Sequence, residues 1–219
     1  MIRVNAYPLE KSTDMVTGIA SLTINDNFKL DSIRIIKTDK GDSGIFLGMP
    51  AYKTDKRDAE DKPVYKDLFH PANKEFIEEL YAAVKTSLAS GEAVEIYRDT
   101  VHTMGVKAEP VKPGTKDTGI RANVTLYISR EGEKSPDIVI DTVKIRESMK
   151  DTSERKIFVA FPARKTADNV YKSVCYPVTA EKREELLGQI FTAYHNEFDK
   201  AGEADSMKVS DGTKDDRIR

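Results

Sequence analysis

Residues 45–54 read IFLGMPAYKT and residues 157–166 read IFVAFPARKT, identical at six of ten positions in a chain of 219 residues. If a whole unit was duplicated, the flanks should match as well. They do, and in the same order. VNAYP (4–8) pairs with VKAEP (106–110), and ASLTI (20–24) with ANVTL (122–126), both at an offset of 102. DSIRI (31–35) pairs with DTVKI (141–145) at 110, and the ten-residue stretch itself at 112. YKDLFHP (65–71) pairs with YKSVCYP (171–177) and EEL (78–80) with EEL (184–186), both at 106. The offset changes only at polar stretches rich in Gly, Pro and Asp, where loops absorb insertions. On this matching the second copy has a hairpin eight residues longer, SREGEKSP (129–136), and a loop six residues shorter after its KT.

Each copy reads as a small sheet carrying one helix. Ala20, Leu22 and Ile24 alternate with polar residues, as do Ala122, Val124, Leu126 and Ile128, which is the period of a half-buried strand. NDN (25–27) supplies turn chemistry, and Leu30, Ile33 and Ile35 continue into a second strand. Ile45, Leu47 and Met49, and in the second copy Ile157, Val159 and Phe161, form strands ending at Pro50 and Pro162. Asn73 and Thr179 stand where helix N-caps belong. Ile77, Leu80, Tyr81, Val84 and Leu88 make one apolar stripe; Leu186, Leu187, Ile190, Phe191, Tyr194 and Phe198 make the other. Gly91 and Gly202 act as stop signals. The expected fold class is α+β: two tandem copies of an antiparallel sheet with one C-terminal helix each. Residues 1–91 form the first copy and 105–202 the second. Residues 92–104, with AVEIY, form a connector that contains a strand, and the charged tail 203–219 is expected to be disordered.

Composition narrows the class. Hydrophobic residues at 39% and charged residues at 33% suit a water-soluble fold with small cores. No 18-residue apolar run and no apolar leader is present, so neither a membrane span nor a secretory signal is expected. The lone Cys175 cannot form an internal disulfide, which points to a reducing compartment, the cytoplasm. A net charge of −2 argues against a uniformly basic nucleic-acid binder but not against a local basic patch.

The string GIASLTINDNFKLDSIRIIK, then GIFLGMPAYKT, then YKDLFHPANKEFIEEL resembles the SpoVG family of stage V sporulation and septation-regulator proteins. The family pattern is a hairpin, a DIRVI-like strand, a GLFVAMPS(K/R)RT segment, FRDIAHPI and a helix. The first copy resembles it over residues 1–88 and the second, more loosely, over 105–198. The resemblance implies a bacterial domain that dimerises, binds DNA or RNA, regulates gene expression and septation, and is not an enzyme. A tandem chain can satisfy such a dimer internally, as a pseudo-dimer. The copies depart from the pattern. The basic pair before the threonine is Tyr52-Lys53 in the first copy and Arg164-Lys165 in the second. The family's His-Pro is His70-Pro71, then Tyr176-Pro177, and its aspartate is Asp67, then Ser173.

The charge pattern favours the second copy for nucleic-acid contact. Between residues 155 and 183, Arg155, Lys156, Arg164, Lys165, Lys172, Lys182 and Arg183 face only Asp168 and Glu181. Such cations contact phosphates, and Tyr171 and Tyr176 in the same segment can stack on bases. The same segment of the first copy, 37–66, is nearly balanced, which makes Lys53, Lys56 and Arg57 the weaker equivalents. A charge run is also what an ordinary solvated face looks like. His70, His102 and His195 lack metal-ligand spacing, and Cys175 aligns with the apolar Phe69 and reads as a buried small hydrophobe. GDSGIFLG lacks the lysine of a phosphate loop. No cofactor is expected. Two functional classes remain: a nucleic-acid-binding regulator working through the basic residues, and a protein-interaction module working through KTDKRDAEDKP (53–63) and SREGEKSP.

Overall fold

The computed structural model describes residues 1–13, 15–39, 44–111, 118–148, 157–166 and 169–211. The first copy comprises β1 (Ile2–Thr13), β2 (Val16–Ile24), β3 (Phe28–Lys37), β4 (Ile45–Gly48), β5 (Ala51–Arg57), β6 (Pro63–Asp67), β7 (His70–Pro71) and α1 (Lys74–Ser90). Strand β8 (Val94–Ile96) follows. The second copy comprises β9 (His102–Pro110), β10 (Ile120–Arg130), β11 (Ile138–Glu147), β12 (Ile157–Ala160), β13 (Ala163–Lys165), β14 (Tyr171–Ser173), β15 (Cys175–Pro177) and α2 (Ala180–Asp211). The α+β duplication is therefore present as expected. Among the described residues no helix is long and apolar enough to cross a membrane.

The halves are interlocked, not strung in series. One sheet runs β15-β3-β2-β1-β8 with β4 also on β3; the other runs β12-β11-β10-β9 with β7 also on β11. Thus β15 of the second copy completes the first sheet (Tyr176 opposite Lys29, Pro177 opposite Phe28), and β7 of the first completes the second (His70 opposite Val139, Pro71 opposite Ile138). The exchange is reciprocal residue for residue. Ala72 N–H donates to Asp137 C=O at 2.8 Å, and Val178 N–H donates to Asn27 C=O at 2.8 Å. Leu68 N–H reaches Pro50 C=O at 2.7 Å, and Val174 N–H reaches Pro162 C=O at 2.9 Å. These are the contacts of a two-fold dimer made within one chain, with each interface surface used twice.

The outer edge of β3 is divided between β4, which pairs with Arg34–Lys37, and β15, which pairs at Phe28–Leu30. A bulge separates the two, because Asp31 and Ser32 both face Ser21. Ser32 has φ 70°, and its N–H is held by Asp31 Oδ1 at 2.6 Å. The bulge bends the strand and breaks its pairing, so two short partners can share one edge. β11 repeats the device at Asp141 and Thr142, with Thr142 Oγ1 donating to Leu68 C=O at 2.7 Å.

Strand register corrects the alignment of ASLTI with ANVTL. Leu22 lies opposite Val4 and Leu30, and it is Leu126, not Val124, that lies opposite Val106 and Ile140. The true offset for this strand is 104. The second hairpin is therefore six residues longer and not eight; the other two fall between β9 and β10. A slip of two residues keeps every side chain on its own face, so alternation could not detect it.

The apolar alternation is buried as expected: Ala20, Leu22, Ile24, Ala122, Val124, Leu126 and Ile128 lie in one continuous core that draws on both halves. Asn73 caps α1, its side chain accepting from Glu75 N–H at 2.9 Å, and Thr179 Oγ1 accepts from Lys182 N–H at 3.2 Å. Gly91, at φ 73°, ends α1 in the left-handed conformation. Gly202 does not end α2, which continues to Asp211, so part of the tail expected to be disordered is helical. Exposed Phe198 and Ile157 fall off the core, because α2 outruns the sheet and Ile157 starts an edge strand. The connector strand exists: β8 pairs antiparallel with β1, Ile2 opposite Ile96 and Val4 opposite Val94.

A buried polar cluster sits where the connector, the long hairpin and α1 meet. His102 Nε2 is 3.6 Å from Asp137 Oδ2, which accepts from Arg130 Nε at 3.1 Å; Arg130 in turn clamps Glu75 at 3.0 Å and 3.4 Å. Burial pulls the His102 imidazole down from 6.5 to about 4, and the Met1 amine beside it acts in the same direction. The unfolded chain takes up this proton near pH 6.5, and the native fold resists it until about pH 4. Stability is therefore full above the upper value and drains away as pH falls to the lower. The ceiling is about 3 kcal/mol, trimmed by the raised Asp137 carboxyl, which acts in the opposite sense. Urea unfolding at pH 7 and pH 4.5 should show this loss, and His102→Gln should remove most of it.

Phe69, 1% exposed, lies among Leu22, Ile33, Phe76 and Leu80 of its own half and Ile138 of the other. Phe69→Ala should cost about 3–5 kcal/mol. Because the core is shared, calorimetry should record one unfolding transition at lower temperature, not a split into two.

Candidate nucleic-acid interface

Beyond the two main sheets, each half carries a separate two-stranded hairpin, β5-β6 in the first and β13-β14 in the second. Their residues are mostly exposed. Both hairpins grow from the proline that ends the preceding strand, and both are closed by the same side-chain bond. Thr54 Oγ1 donates to Val64 C=O at 2.8 Å, and Thr166 Oγ1 donates to Val170 C=O at 3.0 Å. The six extra residues of the first hairpin lie beyond that bond, at its tip.

Register decides which side chains share a face. Lys53 is opposite Tyr65, and Lys165 is opposite Tyr171. On the reverse face Tyr52 is opposite Lys66, and Arg164 is opposite Lys172. Directly opposed residues point the same way, and successive residues point to opposite faces. Each hairpin therefore presents a lysine beside a tyrosine, with Tyr65 63% and Tyr171 70% exposed. Large aromatic surface left in water next to an unpaired cation suits a flat, anionic ligand.

The two hairpins differ electrostatically. Lys66 Nζ is bound to Asp141 Oδ2 at 2.6 Å, tying the first hairpin to β11. Burial raises the Asp67 carboxyl at its base, against the pull of His70 and Arg34. In the second hairpin Ser173 replaces Asp67, and Asp31, the counterpart of Asp141, holds its own chain at Ser32 N–H. Among the described residues Arg164, Lys165 and Lys172 make no ion pair or side-chain hydrogen bond, and neither does Lys53. Arg57 is spent on the tip, donating to Asp61 C=O at 2.7 Å and to its carboxylate at 3.2 Å.

The structure thus gathers Arg164, Lys165, Tyr171 and Lys172 onto one strand pair. Lys53 takes the equivalent place on the other hairpin. Lys56 lies farther out on β5 toward the acidic tip formed by Asp58, Glu60 and Asp61. Arg155 and Lys156 lie outside the described residues. Lys182 is paired with Glu185 at 2.8 Å, and the Arg183 guanidinium rests 5.9 Å from the Phe161 ring centre. Half-buried Tyr176 is held in β15, which leaves Tyr171 as the exposed tyrosine of the pair. Tyr65 and Tyr52 were missed in the sequence. The offset of 106 that sets YKDLFHP on YKSVCYP already places Tyr65 on Tyr171, and that was the available signal. SREGEKSP is less free than its composition suggested, since Arg130 within it binds Glu75 of α1.

The model of the SpoVG family matches the chain twice, over residues 1–89 and 104–196. Curated relatives named septation protein SpoVG match single copies. That of Aster yellows witches'-broom phytoplasma is 35% identical over 69 residues, 32% of this chain and 61% of its own length. That of Treponema denticola is 32% identical over 82 residues, 35% of this chain and 78% of its own. That of Clostridium beijerinckii is 31% identical over 85 residues, 39% of this chain and 84% of its own. The chain thus spans about three fifths of the phytoplasma relative and more of the other two. No solved structure matches. With both halves matched and the second repeating the bulges, strand order and hairpin of the first, the chain belongs to the SpoVG family, as two copies of its domain in tandem.

Proposed function

We propose that this protein is a cytoplasmic regulator that binds single-stranded DNA or RNA through its pair of β-hairpins, chiefly the second. The observation that carries this reading is the repeated lysine–tyrosine pair, Lys53 with Tyr65 and Lys165 with Tyr171. The lysine supplies phosphate contact, and the exposed ring supplies a stacking surface for an unpaired base. The reverse face of the second hairpin adds Arg164 and Lys172, with no carboxylate paired to either among the described residues. A two-fold pair of such hairpins engages two segments of one strand, so the linked contacts reinforce each other.

The weighting toward the second hairpin follows from charge. Lys66 and Arg57 are already committed to Asp141 and Asp61, so the first hairpin offers Lys53 and its tyrosines. Its tip, with Asp58, Glu60 and Asp61, repels phosphate. The names of the relatives refer to septation, and a regulatory role in that process fits a protein that recognises a transcript or a promoter.

Fluorescence anisotropy with a labelled random 20-mer at several salt concentrations tests the assignment. Arg164→Glu with Lys165→Glu should weaken binding at least tenfold and flatten the salt dependence, by about 0.7 for each single-strand phosphate that the protein no longer neutralises. Tyr171→Ala should cost about 1–3 kcal/mol with the salt slope unchanged, because stacking releases no counterions. Lys56→Glu with Arg57→Glu should stay within about twofold of the parent. Equal loss from both double mutants would show a diffuse charge effect. No binding at low salt, together with a protein partner recovered after nuclease treatment, would move the function to the interaction class.

A further inference from the structure

The two halves differ at one sheet edge, and the difference exposes a site. In the first half, β8 covers the outer edge of β1. The Ala6 amide, beyond the end of β8, is satisfied by Ser87 Oγ at 3.0 Å. Alternate residues of a strand turn their backbone groups to the same side, so Ile2, Val4 and Ala6 all point outward. In the second half β9 occupies the place of β1, with Met104, Val106 and Ala108 in those positions. Among the described residues β9 pairs only with β10. Ala193 stands where Ser87 stands in α1, so the hydroxyl that closes the edge is missing as well.

Beside this open edge lies a groove of about 360 Å³. Its apolar floor is Phe28, Met104, Ile128, Pro177 and Leu186. These are the counterparts of Ile138, Ile2, Ile24, Pro71 and Leu80 in the first half. There the same space is filled. Phe76 is fully buried, and the Tyr97 ring following β8 stacks on it at 6.4 Å, with the Arg130 guanidinium 4.7 Å from that ring. In the second half Lys182 replaces Phe76 and turns to Glu185 on the rim. The short turn bearing Asn25 and Asn27 forms the polar wall where the longer hairpin sends Arg130 across. Among the described residues no strand following α2 takes the place of β8.

We infer that the β9 edge and its groove form a docking site for an extended peptide that adds as an antiparallel strand. The occupant has apolar residues at alternate positions followed by an aromatic one, as in Val94, Ile96 and Tyr97. The molecule itself supplies the template: β8 and Tyr97 are that ligand, covalently attached, on the equivalent surface of the other half. Ladder bonds to Met104 and Val106, the counterparts of the two outward-facing residues of β1 that β8 covers, supply affinity, the groove selects the aromatic residue, and Asn27 and Gln189 on the rim accommodate a hydroxyl. The site is separate from the hairpins and independent of their role.

The probe is a fluorescein-labelled AVEIYR peptide, the sequence of residues 93–98, titrated with the full chain. Saturable binding is expected, weakened at least about tenfold when the peptide tyrosine is replaced by alanine, as for an aromatic anchor. Val106→Pro removes an edge donor and should weaken binding to a similar degree. Lys182→Phe places in the groove the ring that the first half uses, so it should raise the melting temperature and abolish binding while the fold is retained. Absence of saturable binding up to about 1 mM peptide would overturn the proposal. So would binding indifferent to both variants, or dimerisation of the free chain that Lys182→Phe abolishes, since the edge would then belong to a second copy.

Discussion

The edges of β3 and β11 are the constraint around which the rest of the molecule is arranged. Each is a central hydrophobic strand whose outer side is covered at one end by its own chain and at the other by the sister copy. An exposed strand edge invites pairing with any other chain, and buried backbone groups without partners cost about 1–3 kcal/mol each. Neither half alone can cover its edge, because the segment positioned to do so, His70–Pro71 or Cys175–Pro177, lies across the other half's strand. The bulges at Asp31–Ser32 and Asp141–Thr142 are where the edge passes from one partner to the other. Their retention in both copies follows from that handover.

Fusion changes the thermodynamics of this exchange more than its geometry. Two separate domains would lose translational and rotational freedom on pairing, whereas joined copies meet at a high effective concentration. The core is accordingly continuous, with Phe69 of the first half reaching Ile138 of the second. Fusion also removes the symmetry requirement. In a homodimer any substitution appears twice; here Asp67 corresponds to Ser173, Phe76 to Lys182, and Ser87 to Ala193. The first half has the better-filled edge, with β8 and Tyr97. The second has, among the described residues, the unpaired cations of its hairpin. The differences reach buried positions as well as the surface: Phe69 corresponds to Cys175, and fully buried Phe76 to Lys182.

Cross-strand register gives the hairpins their chemical character. Lys165 and Tyr171 are separated by a turn in sequence, yet they stand opposite each other on one face. Arg164, adjacent to Lys165, is on the reverse. A positive segment in the sequence thus resolves into a face that carries Lys165 with Tyr171 and a face that carries Arg164 with Lys172. Lys182 and Arg183, counted in the same positive run, leave it because α2 carries them to Glu185 and Phe161.

The sequence by itself determined the duplication, the fold class, the core strands and both helix starts. These rest on local spacing: alternation for Ala20, Leu22 and Ile24, the Asn73 and Thr179 caps, and Gly91 as a stop. It also marked Arg164, Lys165 and Tyr171, because their residue types cluster in one segment. It misplaced β10 against β2 by two residues, because such a slip conserves the buried face and leaves no trace in the pattern. The helix beyond Gly202 was likewise hidden, because a glycine ends a helix only where the chain turns left-handed, as at Gly91, and residue type alone does not say where it will. Only the tertiary structure decided which strands pair across the halves, that Lys53 and Lys165 share a hairpin face with Tyr65 and Tyr171, and that among the described residues no strand covers the outer edge of β9. Those facts depend on partners far apart in the chain, and hydrogen bonds between distant strands carry no signature in local residue order.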